Sequence, residues 1–361
     1  MPGNADLIEA FRAQSRACGK LGSPFMAALL SEAAGEMERA GSISGLLASW
    51  PGDPVADAVP LRLAAALHAL ALSEAAPELA ALYPGAAQDA EAAAIWRTAL
   101  SAIEANRPFV ESFLASPPQT NEVGRSAALL GGFLETARAT GGKPMRLLEI
   151  GASAGLNQFW DQYRYDLGQA AHWGDASSPV TAQAEWAGPL PPLDASVVVA
   201  ERAASDSAPV DLEDPDARLR LRAYVWADQP ARMALLDAAV ALVRRRGLRV
   251  ERGEAGAWVA ERLRDQVEGQ TTVLFHSIAW EYFPDATKAQ IRETAEAAGQ
   301  CADADAPFAW LRLEPPAGSG PGGGQPELRL TLWPGGHDRC LARAHTHGPP
   351  VTWLEGETTN E

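Results

Sequence analysis

The chain has 361 residues, 47% of them hydrophobic, and carries a formal net charge of −16. Such a length and composition allow two globular domains with apolar cores, whereas the acidic excess argues against a nucleic-acid backbone as the main partner, because like charges repel. Only three cysteines occur, far apart in the sequence, so neither a disulfide framework nor a CxxC metal site is expected.

Targeting signals are also missing from the sequence. Its first residues, MPGNADLIEAFRAQ, lack the basic start and apolar centre of an export signal, and no run of about 18 apolar residues occurs. Few cysteines suit a reducing compartment. These features predict a cytoplasmic protein that does not span a membrane.

Residues 1–140 are expected to form an all-helical domain. Ala-rich segments with apolar residues at helical spacing, such as PFMAALLSEAAGEM and PLRLAAALHALALS, alternate with Pro- and Gly-rich turns. No strand pattern interrupts them, which indicates a helical cap before an α/β domain over residues 141–361. His68 lies in one of these helices, where packing is the expected role.

A polar tract, QTNEVGRS, opens the apolar helix AALLGGFLETAR just before the first strand. Thr120 or Asn121 suits the N-cap of that helix, because a short polar side chain accepts a hydrogen bond from a free N–H group there. Alternatively, Asn121, Glu122 and Arg125 line a cleft and bind substrate, with the planar guanidinium of Arg125 holding a carboxylate or phosphate. The residue types suit both interpretations.

The stretch Met145–Asn157, MRLLEIGASAGLN, predicts a buried strand that enters a glycine turn. Apolar residues from Leu156 to Leu167 then recur every three or four positions, which predicts a helix. Glycines in the turn permit positive φ and close approach of a ligand, and free N–H groups at a helix start favour hydrogen-bond acceptors. The unit therefore predicts a site for a nucleotide-like cofactor.

Strands and helices alternate through the rest of the chain. Further buried strands are predicted at residues 196–200, 248–252, 271–276 and 308–313, and ELRLTLW and PPVTWLE predict an antiparallel hairpin. Residues from about 168 to 194 show no sustained period and predict a long loop or small insertion. The fold class is therefore α/β: an N-terminal all-helical domain, then a mostly parallel sheet closed by an antiparallel C-terminal hairpin.

The motif Glu149-x-Gly151-x-x-x-Gly155 after an apolar strand resembles the first motif of Rossmann-like S-adenosylmethionine-dependent methyltransferases. Over nearly the whole chain, the tracts QTNEVGRSA, LLEIGASAGLN with WDQYRYDLG, PVDLEDPD with YVWADQPAR, and FHS resemble successive signatures of DUF2332, an uncharacterised bacterial family. That resemblance implies a methyltransferase-type fold without an established reaction. The expected function is methylation of an unknown small molecule, with S-adenosylmethionine as cofactor.

The methyltransferase resemblance assigns roles around the turn by position. Glu149 is expected to orient the turn near the amino-acid end of the cofactor, and Gly151, Ser153 and Gly155 to present backbone groups to it. Many methyltransferases carry a further glycine where this turn has Ala152 and Ser153. A strand-end carboxylate at Glu149 that satisfies nearby N–H groups is the alternative, and it needs no cofactor.

Acidic residues after the next two strands suit the nucleoside half of the cofactor. Glu201 and Asp206 are both candidates for the ribose hydroxyls, and Asp206 is preferred because ERAASDSAPVD looks like the stretch in which the family places an aspartate before Pro-x-Asp. Glu254, after the third predicted strand, would lie where the adenine edge is read.

A second cluster follows the fourth predicted strand, where methyltransferases usually place groups that orient the substrate. Methyl transfer needs alignment, and a base only if the acceptor carries a proton. His276 is the candidate catalytic base because imidazole titrates near neutral pH. Trp280 and Tyr282 are candidates for substrate binding or for contact with a cation such as a sulfonium. A buried histidine bonded to the backbone and ordinary aromatic packing are the alternatives.

Gly151-Ala-Ser153-Ala-Gly155 also has the Gly-x-Ser-x-Gly spacing of a hydrolase nucleophile elbow. A serine hydrolase with Ser153 as nucleophile and His276 or His337 as base is the second hypothesis, although hydrolases normally have strands before the nucleophile strand. A non-catalytic nucleoside-binding protein is the third. No metal site is expected, because the remaining histidines lack carboxylates or cysteines at matching spacing.

Overall fold

The computed structural model describes residues 4–47, 50–86, 90–168, 171–316, 318–319 and 324–354. It divides into two compact units: Met1–Thr120 with Asp214–Ala234, and Asn121–Glu213 with Leu235–Glu361. The sequence-based division at residue 140 assigned the helix Arg125–Ala139 to the helical region, whereas its contacts place it in the second unit. Among the described residues, no helix is long and apolar enough to cross a bilayer.

The N-terminal helical region is confirmed. The α-helices described before the first strand are α1 Asn4–Lys20, α2 Pro24–Glu38, α3 Ser42–Leu47, α4 Val59–Leu72, α5 Pro77–Ala80, α6 Ala92–Ala105, α7 Arg107–Ala115 and α8 Arg125–Ala139. Proline stands in the first turn of α2, α4, α5 and α7. Its fixed φ and missing N–H are compatible with that position, so these prolines mark helix starts.

The first unit has its own apolar core, built around α4. Almost every residue of α4 is buried, and it packs against α1, α2, α6 and α7 and against α9, Pro215–Ala223, which joins this unit from later in the chain. His68 of α4 is 7% exposed, and its Nδ1 lies 3.1 Å from the carbonyl oxygen of Ala223. Burial lowers the pKa of His68. This histidine therefore has the packing role expected of it.

The second unit contains two sheets. The smaller sheet has three strands, which are β2 Arg164–Asp166, β3 His172–Trp173 and β4 Thr181–Gln183. The larger sheet has nine strands, which are β1 Met145–Ile150, β5 Trp186–Ala187, β6 Val199–Asp206, β7 Glu251–Arg252, β8 Thr271–Ser277, β9 Phe308–Glu314, β10 Glu327–Trp333, β11 His337–His345 and β12 Gly348–Trp353. The segment predicted as a loop or small insertion therefore carries β3, β4 and β5.

The larger sheet has the order β5-β12-β11-β10-β9-β8-β1-β6-β7. Strands β7, β6, β1, β8 and β9 are parallel, and β10, β11 and β12 continue from β9 as antiparallel neighbours. The α/β class, with a mostly parallel sheet and antiparallel C-terminal strands, is confirmed. The predicted hairpin is wrong in detail, because β11 lies between its two predicted strands and makes a three-stranded meander.

Helices cover both faces of the parallel strands. On one face, Phe133 of α8 contacts Phe275 of β8 with ring centroids 5.1 Å apart. On the other face, Leu148 and Leu274 share an apolar cluster with residues of α11, Ala255–Arg262, and α12, Asp285–Cys301. The remaining helix, α10, spans Pro230–Arg246. Adjacent residues of β8 thus face opposite layers, as expected for a strand buried on both sides.

The α-helix predicted after the glycine turn is wrong. The chain forms a 3₁₀ helix at Leu156–Gln162 and then enters β2. Trp160 determines this path: its ring stacks on Phe133 at 4.2 Å with an interplanar angle of 2°, and it also stacks on Trp173 at 5.5 Å. The apolar stripe seen in the sequence is buried as expected, but partly in the 3₁₀ helix, which packs against α8 and Trp173, and partly in β2, a strand of the small sheet.

The strand predicted at residues 196–200 is displaced. β6 begins at Val199, continues to Asp206 and buries only its second half. Val198 is 52% exposed, so the first two of the three valines lie before the strand and only Val199 belongs to it. This register brings Asp206, not Ala200, to the carboxyl end of β6.

Candidate functional site

The carboxyl ends of the five parallel strands form one edge of the large sheet, here called the carboxyl edge. These strand ends are Ile150 of β1, Asp206 of β6, Arg252 of β7, Ser277 of β8 and Glu314 of β9. From β1 the chain proceeds to β6 and β7 on one side and then to β8 and β9 on the other. Strand order therefore reverses between β1 and β8, and the glycine turn leaves β1 at that point.

Backbone N–H groups of the turn are bonded within the protein. The N–H of Ser153 donates to Oδ2 of Asp206 at 2.8 Å, and the N–H of Leu156 donates to Oδ1 of Asn121 at 2.9 Å. Gly155 donates its N–H within the turn. The 3₁₀ helix that follows also gives no α-helical N-terminus. The turn is thus fixed by its own hydrogen bonds, so the expected presentation of N–H groups to a ligand has no support at Ser153 and Gly155.

Both glycines of the turn are required by backbone conformation and packing. Gly151 has a φ of +65°, and a Cβ placed on it would lie 2.5 Å from the Cβ of Ala279. Gly155 has a φ of +71°, and a Cβ there would lie 2.9 Å from Leu248 and 3.0 Å from Val250. An L side chain at either position is strained and clashes. Contacts within the protein therefore explain the glycines, and the segment after β8 lies directly against the turn.

Two polar side chains at the turn are buried without a hydrogen bond to one of their oxygens. Glu149 is 2% exposed and its Oε2 has no partner in the part of the chain that the structure describes; the same holds for Oγ of Ser153, which is 4% exposed. Burial, and next the carboxylate of Asp206, raise the pKa of Glu149 well above its ordinary value. An unmade hydrogen bond at a buried polar group costs about 1–3 kcal/mol. These oxygens are therefore candidates for contact with a ligand.

The structure brings Asp206 to the turn but leaves Glu201 away from it. Asp206 accepts hydrogen bonds from the N–H groups of Ser153 and Ala208, each at 2.8 Å, and so joins the turn after β1 to the end of β6. Glu201 is in register with Arg146 near the start of β1, and their side chains pair at 3.2 Å. Of the two candidates for ribose hydroxyls, only Asp206 lies at the carboxyl edge.

Glu254 follows β7 and caps α11. Its Oε2 accepts a hydrogen bond from the N–H of Ala257 at 2.8 Å, and Oε1 accepts one from the hydroxyl of Thr287. Burial acts to raise the pKa of Glu254, but these hydrogen bonds outweigh it and lower that pKa below its ordinary value. The carboxylate is exposed beside the carboxyl edge. It follows β7, and its observed role is that of an N-cap.

The polar tract before α8 lies against the turn and the end of β8. Asn121 accepts from the turn at Leu156, as described above, and does not cap α8, whose N-cap is Gly124 without a side-chain hydrogen bond. Arg125 donates through Nη1 to the carbonyl oxygen of Ser277 at 2.9 Å and through Nε to that of Thr346 at 3.0 Å. These two bonds direct the guanidinium at main-chain carbonyls.

Glu122 connects the same tract to the turn between β11 and β12. Its Oε2 lies 3.3 Å from Nδ1 of His347, and its carbonyl oxygen accepts from the side-chain amide of Asn157 at 3.4 Å. Asn121, Glu122 and Arg125 are thus brought together with the carboxyl edge, where each has a structural contact.

His276 occupies a buried position near the end of β8. The residue is fully buried, and its Nδ1 lies 2.6 Å from Oε1 of Glu314 at the end of β9. The ring stacks on Trp280 at 5.2 Å and lies 6.1 Å from the ring of Trp310. Its Nε2 is buried without a partner among the described residues. A carboxylate that orients one ring nitrogen and leaves the other without a hydrogen-bond partner is the arrangement of a general base.

The two aromatic candidates differ in environment. Trp280 is half-buried, with its ring against His276 and with the guanidinium carbon of Arg292 5.1 Å from the ring centroid. Tyr282 is 75% exposed. Tyr282 therefore presents aromatic surface to solvent next to the carboxyl edge, while Trp280 already contacts a cation of the protein.

Two other chemical hypotheses can be placed on the structure. His337 is paired with Leu332 of β10, which is paired with Ala309 near the start of β9, so this histidine lies at the edge opposite Ser153 and is wrong as its base. Within the described residues, no group of three or more His, Cys, Asp or Glu side chains is arranged to hold a metal ion.

Glu314 is the residue of this site that the sequence interpretation missed. It is the last residue of β9 and follows the apolar run FAWLRL directly. An acidic residue at the end of a parallel strand was the signal, and the same reasoning had selected Glu149 and Asp206.

A model of the family described as "Uncharacterized protein conserved in bacteria (DUF2332)" matches residues 8–353. No curated protein and no solved structure matches the chain. The match includes the glycine turn, all five parallel strands and the strand ends that form the carboxyl edge. The arrangement described above therefore lies within the part of the chain that the family defines.

Proposed function

We propose that this chain, which belongs to the DUF2332 family, binds S-adenosylmethionine at the carboxyl edge and transfers its methyl group to a small molecule. The observation that carries the proposal is the reversal of strand order between β1 and β8, at the glycine turn. In doubly wound sheets, nucleotide ligands bind at the point where the order reverses, beyond the carboxyl ends of the strands.

The order of the parallel strands supports a Rossmann-like identity for the second unit. Numbered by appearance among themselves, β7, β6, β1, β8 and β9 follow the order 3-2-1-4-5. This order is shared by many nucleotide-binding sheets, and the antiparallel strands after β9 occupy the position where methyltransferases close the sheet. The 3₁₀ helix after β1 departs from the usual α-helix, which removes the helix dipole as a contribution to binding.

Carboxylates at successive strand ends suit the cofactor. Asp206 ends β6, which lies beside β1, and Glu254 follows β7, the next strand outward, in the order in which a nucleoside would meet them. Each retains acceptor capacity for hydroxyl or amino groups. Glu149 and Ser153 contribute buried oxygens without partners among the described residues, beside the turn. S-adenosylmethionine, when bound, supplies an electrophilic methyl group; the residues of the chain bind it, orient the acceptor and exclude water.

Thermal unfolding in the presence of S-adenosylmethionine, S-adenosylhomocysteine, ATP and NAD tests this proposal. At a ligand concentration of 100 times Kd, binding stabilises the folded state by about 2.7 kcal/mol, which raises Tm by several degrees. A shift with the two sulfur-containing nucleosides and none with ATP or NAD is expected. If neither S-adenosylmethionine nor S-adenosylhomocysteine shifts Tm, the methyltransferase proposal is overturned. Binding of these ligands without methyl transfer to any acceptor would favour a nucleoside-binding protein.

A serine hydrolase is the second candidate, and the backbone of Ser153 favours it. The residue has a φ of +54°, the strained left-handed conformation that a nucleophile elbow imposes on its serine. Neither Oγ of Ser153 nor Nε2 of His276 has a hydrogen-bond partner among the described residues, so the two atoms are not bonded to each other. A catalytic triad is therefore not assembled here, which is why methyl transfer is preferred.

A fluorophosphonate probe separates these two candidates. A hydrolase would be labelled at Ser153, and Ser153→Ala would remove the label. The methyltransferase proposal expects no labelling of the wild-type protein, and Ser207→Ala provides a control for labelling at an exposed serine of the same edge.

A further inference from the structure

The contacts of Glu314 determine which ring nitrogen of His276 carries the hydrogen. Oε1 of Glu314 lies 2.6 Å from Nδ1 of His276, 3.0 Å from the backbone nitrogen of Ala279 and 3.3 Å from that of Trp280. Backbone N–H groups only donate, so this oxygen acts as an acceptor. Nδ1 of His276 therefore carries a hydrogen, and in the neutral ring the lone pair is on Nε2.

The backbone between His276 and Ala279 is strained. Ile278, between His276 and Ala279, has a φ of +47°. A β-branched side chain in the left-handed region costs about 1–3 kcal/mol and persists only where the surroundings enforce it. Here the N–H of Ile278 donates to the carbonyl oxygen of Leu313, and the following two N–H groups reach Glu314. The strained residue turns the chain so that the segment after β8 forms hydrogen bonds with the end of β9.

Nε2 of His276 is the group that this arrangement leaves unused. It is buried and has no partner among the described residues, in a ring that contacts both Trp280 and Trp310. His68 provides a contrast, because its Nδ1 bonds to the carbonyl oxygen of Ala223 inside an all-helical core and not to a carboxylate. A purely structural histidine needs no orienting carboxylate at one nitrogen and no vacant acceptor at the other.

We propose that Glu314 is a positioning residue that holds His276 as a base, and that the methyl acceptor is a hydroxyl or amine bearing a proton. The proposal rests on the proposed function for the identity of the reaction. In that reaction the acceptor oxygen or nitrogen forms a bond to the methyl carbon, and the bond from that carbon to sulfur breaks with its electron pair on sulfur. The acceptor's proton passes to Nε2, and the imidazolium formed is stabilised by the carboxylate of Glu314.

We expect access to Nε2 to involve movement of Trp280. This half-buried side chain stacks on the imidazole, and it begins a 3₁₀ helix, Trp280–Tyr282, that contains no buried residue. Glu314 also accepts the N–H of Trp280, so a single carboxylate orients the base and fixes the residue that stacks on it. Substrate entry therefore involves displacement of the Trp280 ring.

Two measurements on the complete chain test the proposal without substrate. In a protein labelled with ¹⁵N at histidine, His276 is expected to show Nδ1 protonated and Nε2 unprotonated. Diethyl pyrocarbonate, a small electrophile, is expected to modify His276 faster than His68, which serves as the buried internal control. Trp280→Ala should accelerate modification of His276 alone.

Glu314→Gln is the conservative variant, because it retains shape and an acceptor oxygen while removing the charge. It should slow modification of His276 about tenfold, because the carboxylate no longer stabilises the positive charge that develops on the imidazole ring, and leave His68 unchanged. Two results would overturn the role of His276 as a base. One is a neutral His276 ring that carries its hydrogen on Nε2, and the other is a His276 that is as unreactive as His68 even in Trp280→Ala. Failure of the protein to bind S-adenosylmethionine would overturn the proposed function and leave these results intact.

Discussion

The backbone N–H of Ser153 donates to Oδ2 of Asp206 at 2.8 Å and thereby joins the glycine turn after β1 to the end of β6. We expect Asp206→Ala to destabilise the protein by about 1–3 kcal/mol, the cost of leaving a buried N–H without its acceptor. Asp206→Asn retains one oxygen and should lose less. Urea unfolding at constant pH measures both changes.

Asp211→Ala is the matched control for that prediction. Asp211 accepts from the N–H two residues ahead, at Glu213, just as Asp206 does at Ala208, but Asp211 is exposed. Its loss should change stability by less than about 0.5 kcal/mol, as for most surface substitutions. Equal losses in Asp206→Ala and Asp211→Ala would show that the link to Ser153 contributes nothing.

Substitution of Gly151 and of Gly141 by alanine separates the stability cost of backbone strain from the cost of overpacking. Their φ values are +65° and +68°, but a Cβ at Gly151 would meet Ala279 at 2.5 Å, whereas a Cβ at Gly141 would meet no described atom within 4 Å. Gly141→Ala should cost about 1–2 kcal/mol, the penalty of a left-handed L residue. Gly151→Ala should cost about 1–3 kcal/mol more, because overpacking is added. Chemical denaturation compares the two, and equal losses would contradict the contact between the turn and the segment after β8.

Glu149 makes stability depend on pH. Burial raises its pKa in the folded state, so the folded protein binds more protons than the unfolded chain between the ordinary and the raised pKa. Its effect on stability is absent below the ordinary pKa and becomes increasingly unfavourable as pH rises toward the raised one. The loss is about 1.4 kcal/mol for each pH unit that separates the two pKa values. Glu149→Gln should therefore stabilise the protein at the alkaline end of this window.

Melting temperatures of wild type and Glu149→Gln across a range of pH from acid to mildly alkaline, at fixed salt, measure the effect. Glu268→Gln, at an exposed glutamate, is the control for simple removal of a negative charge. Parallel pH profiles for wild type and Glu149→Gln would contradict the raised pKa of Glu149.

Strands buried on both faces were the easiest elements to predict. β1, β8 and β9 are short apolar runs, and their predicted limits agree with the structure to within one residue. β6 was misplaced because its exposed first half carries the polar residues Glu201 and Arg202, and the preceding valines look more like a strand. The 3₁₀ helix was missed because contacts of Trp160 with Phe133 and Trp173, distant in sequence, determine its conformation.

For the site as for the fold, the sequence identified residues by local pattern but could not show contacts between residues distant in sequence. The sequence selected Glu149, Ser153, Asp206 and His276, which the structure places at or beside the carboxyl edge. It could not show that Asp206 bonds to the turn, because residues 206 and 153 meet only through sheet register. It missed Glu314 because its partnership with His276 depends on the neighbouring positions of β8 and β9, which no local period reveals.

Isothermal titration of the wild-type protein with S-adenosylmethionine and with S-adenosylhomocysteine tests the central claim most directly. We predict saturable binding of both at a single site, weakened in Asp206→Ala and unchanged in Asp211→Ala. Absence of heat with both ligands at several temperatures, from protein that is folded by circular dichroism, would contradict the claim that the carboxyl edge binds this cofactor.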